Sequence, residues 1–120
     1  MEYPVLLSDV SVDNLPSIFF FTDESIFPVE FYAALVQDSM AKKVESLTTI
    51  SEDFLITPGG KNYFRWEMNS SQAGKSVYSV MYFFEVGDWK LVITYARLIN
   101  QGKENDALVE SSIETIKFGP

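Results

Sequence analysis

The sequence predicts an α+β fold, with helices packed on one mainly antiparallel sheet. Residues 48–96 read as a ladder of strands punctuated by Pro58-Gly59-Gly60 and Gly87-Asp88. Ahead of the ladder, Phe31, Tyr32, Leu35, Val36 and Met40 recur at helical spacing. Behind it, Leu108, Val109, Ile113 and Ile116 do the same. No change of composition divides the 120 residues, so a single domain over 1–120 is expected. That length buries one core without staples or metals.

Val5 to Val12 and Ser17 to Thr22 read as short strands separated by the turn residues Asp13-Asn14-Leu15-Pro16. Ile18-Phe19-Phe20-Phe21 is apolar without alternation, which predicts burial on both faces. A helix is expected from about Ser25 to Lys43. Asp23 and Ser25 are candidate caps, Pro28 suits the first turn, and Lys42 and Lys43 complement the dipole at the far end. Thr48 to Thr57 reads as a strand stopped by Pro58-Gly59-Gly60. Lys61 to Met68 alternates, with Asn62, Phe64, Trp66 and Met68 on one face and Lys61, Tyr63, Arg65 and Glu67 on a wetter one. Asn69 to Lys75 reads as a loose hairpin loop. Val77 to Val86 and Leu91 to Ala96 are apolar on both faces, which predicts central strands joined at Gly87-Asp88. The last helix carries Glu104 and Asp106 in its first turn, and Phe118 is expected to tuck under the sheet.

A formal charge of −8 repels polyanions, so no nucleic-acid partner is expected. No apolar run approaches the roughly 20 residues of a membrane span. With no Cys, disulfide scaffolds and thiol catalysis are excluded. With no His, the commonest zinc ligand and the usual general base near neutral pH are missing as well. No charged n-region followed by an apolar stretch opens the chain. The expectation is a cytoplasmic protein, or an exported, lipid-anchored one if Met1 is not the native start.

The stretch from Phe31 to Phe118 resembles the PsbP/Mog1 family and its bacterial relatives of the DcrB type. The matching features are the helix Phe31 to Met40, the strand leading to Gly59-Gly60, and the start Tyr63-Phe64-Arg65. The aromatic strand Tyr78 to Phe84, the Gly87-Asp88 turn, Leu91-Val92-Ile93-Thr94 and the closing Ile116-Lys117-Phe118 follow in order. The resemblance implies an α/β/α sandwich. Such domains open with a strand pair bearing an aromatic–Gly–Phe element and a Tyr-Pro followed by Trp. Here only Tyr3-Pro4 stands, so the N-terminal strands are expected to be shortened and one sheet edge left open. The family includes photosystem subunits, binders of small GTPases, bacterial lipoproteins and chaperones, and none of these roles maps onto a catalytic motif in this chain.

Among the candidate motifs, Ala73-Gly74-Lys75-Ser76 mimics the end of a phosphate loop but joins two strands and lacks the first Gly at Asn69. Asp9, Asp13 and Asn14 offer oxygens without the spacing or central Gly of a calcium loop. Glu52 and Asp53 point to opposite faces of a strand and make a poor acid–base pair. Asn69-Ser70-Ser71 is a glycosylation sequon, relevant only in a eukaryotic secretory pathway. No metal, cofactor or catalytic residue is assigned. Tyr63, Arg65 and Glu67, with Arg97 ending a neighbouring strand, form either a structural Arg–Glu pairing or a protein-binding face, since Tyr and Arg carry hot spots.

The reading is a non-catalytic protein-binding or accessory domain, pairing with another protein or with itself along a sheet edge. A chaperone-like or small-ligand domain holding an apolar segment between helix and sheet is the alternative. A carboxylate-dependent enzyme is the third reading, and it requires convergent groups in a deep pocket.

Overall fold

A computed structural model describes residues 15–116. The expected strand Val5 to Val12, the oxygens of Asp9, Asp13 and Asn14, and Phe118 lie outside those residues. The elements are β1 (Ser17–Glu24), α1 (Val29–Lys43), β2 (Glu45–Ile56), β3 (Asn62–Gln72), β4 (Lys75–Val86), β5 (Trp89–Leu98) and α2 (Glu104–Glu114). The strands form one five-stranded sheet in the order β1-β5-β4-β3-β2, every pairing antiparallel.

Alternation along β4 divides the core in two. Val77, Met81 and Phe83 pack with Tyr32, Ala33, Val36 and Met40 of α1, together with Phe21, Trp66, Val92 and Ala96. Val80, Tyr82 and Phe84 pack on the other side with Tyr63, Ile93 and Ile113 of α2. The helices therefore cover opposite faces of the sheet. β4 is the middle strand and β5 is interior, as their unbroken apolar runs predict.

Two tight reversals set the register. Ala73 (φ 51°) and Gly74 (φ 77°) are both left-handed, so β3 and β4 join through a two-residue turn. The expected loose loop from Asn69 to Lys75 is thus mostly strand, because a polar strand end has the composition of a loop. Gly87 (φ 61°) opens the equally short turn between Val86 and Trp89.

Other expectations need correction. The first helix starts at Val29, with Pro28 in an extended N-cap (φ −55°, ψ 152°) and no side-chain cap. A residue before proline is biased away from helical backbone, so Phe27 cannot extend the helix towards Ser25. Asp23 instead accepts a 2.9 Å bond from the Tyr32 hydroxyl. Of the apolar residues expected on one helical face, Tyr32, Val36 and Met40 are buried, but Phe31 is 62% exposed and Leu35 is also exposed. Ile18 and Phe20 are 54% and 71% exposed, because β1 is an edge strand whose second face is covered by no helix among the described residues.

Lys90, fully buried, pins the end of β5 to the segment after β1. Its Nζ donates to the Ser25 carbonyl at 2.8 Å and lies 3.6 Å from Glu85 Oε1. The Ser25 N–H donates to the Asp88 carbonyl at 2.8 Å. These bonds hold the segment that carries the exposed Ile26 and Phe27.

Candidate functional site

The four residues singled out from the sequence gather on the α2 side of the sheet, and α2 lies over them. Tyr63 is 6% exposed and stacks on Phe84, with ring centroids 5.0 Å apart. Arg65 Nε sits 2.7 Å from Glu110 Oε1 on α2, as an ion pair rather than an aligned hydrogen bond. Its Nη1 lies 3.5 Å from Glu67 Oε1 on its own strand. Glu67 accepts from the Tyr78 hydroxyl at 2.6 Å and from Ser51 Oγ at 2.8 Å. Arg97 is 4% exposed and grips Asp106 with Nε and Nη2, both at 2.9 Å. The Tyr95 hydroxyl donates to the same carboxylate at 2.7 Å, and the Tyr82 hydroxyl donates to Glu110.

The wetter strip predicted along β3 is therefore a floor beneath a helix. Strand alternation correctly separates Tyr63, Arg65 and Glu67 from Phe64 and Trp66, but it does not tell whether a helix lands on the polar side. Arg97 is two strands away from Arg65, and Tyr78 links the two. Its hydroxyl holds Glu67, and the Arg97 guanidinium carbon lies 4.4 Å from its ring centroid, a cation–π contact. Sequence reasoning missed Tyr78, Tyr82, Tyr95 and Glu110, and gave Asp106 only a dipole role. The available signal was spacing: Asp106, Glu110 and Ile113 fall at i, i+4 and i+7, one stripe of α2.

The electrostatics follow from this packing. The Arg97 fork holds the Asp106 carboxyl below its ordinary value, outweighing desolvation. Burial alone raises Glu67, yet bonds from Tyr78 and Ser51 and the Arg65 charge bring it below its usual range. Burial, then the carboxylate each one faces, raises Tyr78 and Tyr82, and pushes Tyr95 up to about 12. These shifts fix the pH dependence. Depressed carboxyl pKa values contribute stability that is complete above the unfolded value of about 4 and is lost as pH falls through the folded values. Raised tyrosine values contribute stability that is complete below about 10 and is lost as pH rises towards the folded values. Urea midpoints should thus form a plateau that falls at both ends, and Asp106→Asn should flatten the acid limb. An acid limb of the same slope in that variant would contradict the assignment.

Chemically, the carboxylates Glu67, Asp106 and Glu110 are paired with arginines and accept from the hydroxyls of Tyr78, Tyr95 and Tyr82, while Arg65 Nε is held by charge without an aligned acceptor. A groove of about 250 Å³ opens beside it, lined by Ile50, Asn69, Tyr78, Arg97, Ile99 and Lys103. Grooves of about 430 Å³ and 380 Å³ lie at Lys75–Leu98 and at Pro28–Phe54. Among the described residues no carboxylate lines the 250 Å³ or the 430 Å³ groove, and the third holds Glu30 and Glu85. The Lys75 corner, whose sequence mimics the end of a phosphate loop, is a strand start after a two-residue turn. Glu52 accepts from Gln37 of α1, while Asp53 pairs across from Arg65 on the opposite face.

The sheet edges differ from this closed layer. Among the described residues β1 pairs only with β5, and β2 only with β3. β2 has register shifts after Glu45 and Thr49, a left-handed Ser46 (φ 53°), and the charged Glu52 and Asp53. Bulges and charges of this kind discourage further pairing. β1 keeps unbroken register over all eight residues and holds its carboxylates, Asp23 and Glu24, to one end. Ile18 and Phe20 stand on its α2 side. On the other side, Tyr32 of α1 reaches Asp23 on β1, while Gln37 reaches Glu52 on β2. At about 100° per residue, Leu35 therefore lies on the β1 flank of α1, beyond Tyr32, while Phe31 faces largely away from the sheet.

No protein-family model and no curated protein matches this chain. Its fold is shared with a crystal structure of PA94 from Pseudomonas aeruginosa, a protein of unknown function, at a TM-score of 0.72 and 12% identity, over 88% of this chain and 85% of that one. At that identity the likeness speaks for the α+β fold alone. Among the described residues no helix is long and apolar enough to cross a membrane.

Proposed function

We propose that this chain is a non-catalytic protein-binding domain of PsbP/Mog1-like architecture that takes an extended partner segment along β1. One observation carries the reading: an unbroken edge strand, unpaired on its outer side among the described residues, with Ile18 and Phe20 exposed on its α2 side. An added strand gains main-chain bonds, and alternate side chains supply specificity. The burial of Tyr63 and Arg97 and the ion pairs from Arg65 and Arg97 to α2 favour the exposed β1 edge over the Tyr63, Arg65, Glu67 and Arg97 face as the binding surface. The open grooves and the ion-paired polar layer favour a binding module over a carboxylate-dependent enzyme. The net charge of −8 disfavours nucleic acid as partner.

The test compares the wild-type chain with Phe20→Lys as baits. Phe20 is largely exposed, so the variant should fold, and circular dichroism checks that it does. Proteins retained by the wild type should be lost from Phe20→Lys and kept by Ile56→Lys, an exposed position on the opposite edge. Identical retention by all three would remove β1 as the binding edge.

A further inference from the structure

We propose that the occupant of the β1 edge is β1 of a second copy of this chain, paired antiparallel about a two-fold axis at Phe20. This partner presupposes that the edge binds a strand at all, as proposed above. A two-fold axis normal to the sheet keeps each face with its like, so Phe20 and Ile18 meet residues of the α2 side, and Phe19 and Phe21 meet residues of the α1 side.

Three positions of the axis near the middle of the strand are possible, and they differ in what they bring together. With the axis at Phe20, Phe20 faces Phe20 of the second copy, Phe19 faces Phe21, and Ile18 faces Thr22. Directly opposed aromatic pairs of this kind stabilise a sheet. An axis at Phe21 sets Asp23 against Phe19 and Glu24 against Ile18, which strips water from both carboxylates and leaves Asp23 only its Tyr32 bond in return. An axis at Phe19 draws Pro16 into the ladder, where it has no N–H to donate.

Charge placement selects the same edge. Two copies at −8 each repel overall. The carboxylates of β1 lie at its C-terminal end, and the axis sends those of the two copies to opposite ends of the joint. At about 3.3 Å per residue they are roughly 20–27 Å apart, well beyond the Debye length of about 8 Å at physiological salt. β2 offers no such arrangement, since Glu52 and Asp53 lie within its length and its register is broken. The product is a continuous sheet across two copies, with the β1 flanks of the two α1 helices, bearing Leu35, turned towards each other.

Sedimentation velocity on the full chain tests the proposal. The wild type should show a concentration-dependent monomer–dimer equilibrium that tightens as salt is raised. Phe20→Lys should weaken it at least ~10-fold, and Ile56→Lys should leave it unchanged. The chain has no Cys, so a single nitroxide at Glu24→Cys reads the register cleanly. Backbone separation between the two labelled positions should be about 27 Å, against about 20 Å for an axis at Phe21 and about 33 Å for one at Phe19. A strict monomer, a dimer indifferent to Phe20→Lys, or either of the other two separations overturns the proposal. A monomer whose bait capture still depends on Phe20 overturns the second copy alone. A monomer whose capture ignores Phe20 overturns the edge reading as well.

Discussion

Arg97→Ala should lower the unfolding free energy by about 3–5 kcal/mol, because removing one member of a buried ion pair strands the other. Arg97 is nearly fully buried, forks onto Asp106, and donates to the Leu98 and Ile99 carbonyls at 3.3 and 3.4 Å. It also covers the Tyr78 ring. The substitution therefore loosens the link from β5 into α2 as well as leaving a carboxylate unpaired. The Asp106 side chain keeps 25% of its surface, so water recovers part of the loss and the lower end of the range is expected. Arg97→Lys should sit between, since an ammonium keeps the charge but not the two-pronged geometry. Arg97→Met combined with Asp106→Leu should recover most of the stability, because an apolar pair of similar size bears no desolvation cost. Urea unfolding of the three variants and the wild type provides the comparison. A loss under about 1 kcal/mol for Arg97→Ala would mean that the pair contributes no more than an exposed surface bridge.

The importance of this pair lies in how α2 is held. Its inward stripe is Asp106, Glu110 and Ile113, with the half-buried Val109 packed beside them, so two of these four anchors are carboxylates. α1, by contrast, is held by Tyr32, Ala33, Val36 and Met40, all fully buried. A helix fixed by charge and hydrogen bonds is specific in position but sensitive to pH, which is why acid should act first on the α2 layer. The edge proposed for binding lies at β1, which this layer does not include. Association and the stability of α2 should therefore respond to different substitutions.

The fold was legible in the sequence wherever local pattern and global position coincide. Val77 to Val86 reads as a central strand and is one, because burial on both faces requires neighbours on both sides. Gly87-Asp88 and Pro58-Gly59-Gly60 mark reversals because the backbone there needs conformations that few residues adopt. The pattern fails where tertiary placement decides. Ile18-Phe19-Phe20-Phe21 has the same apolar run as a central strand, yet it occupies an edge, and nothing within four residues encodes which neighbours a strand will have. Tyr63-Arg65-Glu67 reads as a wet face because periodicity reports polarity, not cover. The tyrosines at 78, 82 and 95 lie within runs whose apolar pattern predicts central strands and says nothing of their hydroxyls. Their hydroxyls are the other half of the chemistry, each one finding a carboxylate.

Trp66→Ala should cost about 3–5 kcal/mol, the range for removing a large aromatic from a core. Trp66 is 1% exposed and lies on the α1 side of β3, paired across from Glu52 and Met81. Its indole N–H donates to Thr49 Oγ1 at 2.9 Å, fixing the ring where β2 bulges. Alanine would leave a void between α1 and the sheet that Met68 and Met81 can fill only in part. Trp66→Phe separates the two contributions. It keeps most of the packing and loses the hydrogen bond, whose acceptor sits at an exposed residue and regains water, so about 1–2 kcal/mol is expected. Far-UV circular dichroism against urea is the right observable, since the remaining tryptophan, Trp89, is half exposed and reports a different region. If phenylalanine proved as costly as alanine, the Thr49 bond rather than the packed ring would be what holds β2 in place. Because β3 is separated from β1 by two strands, either variant should leave association through Phe20 unchanged at temperatures where it remains folded.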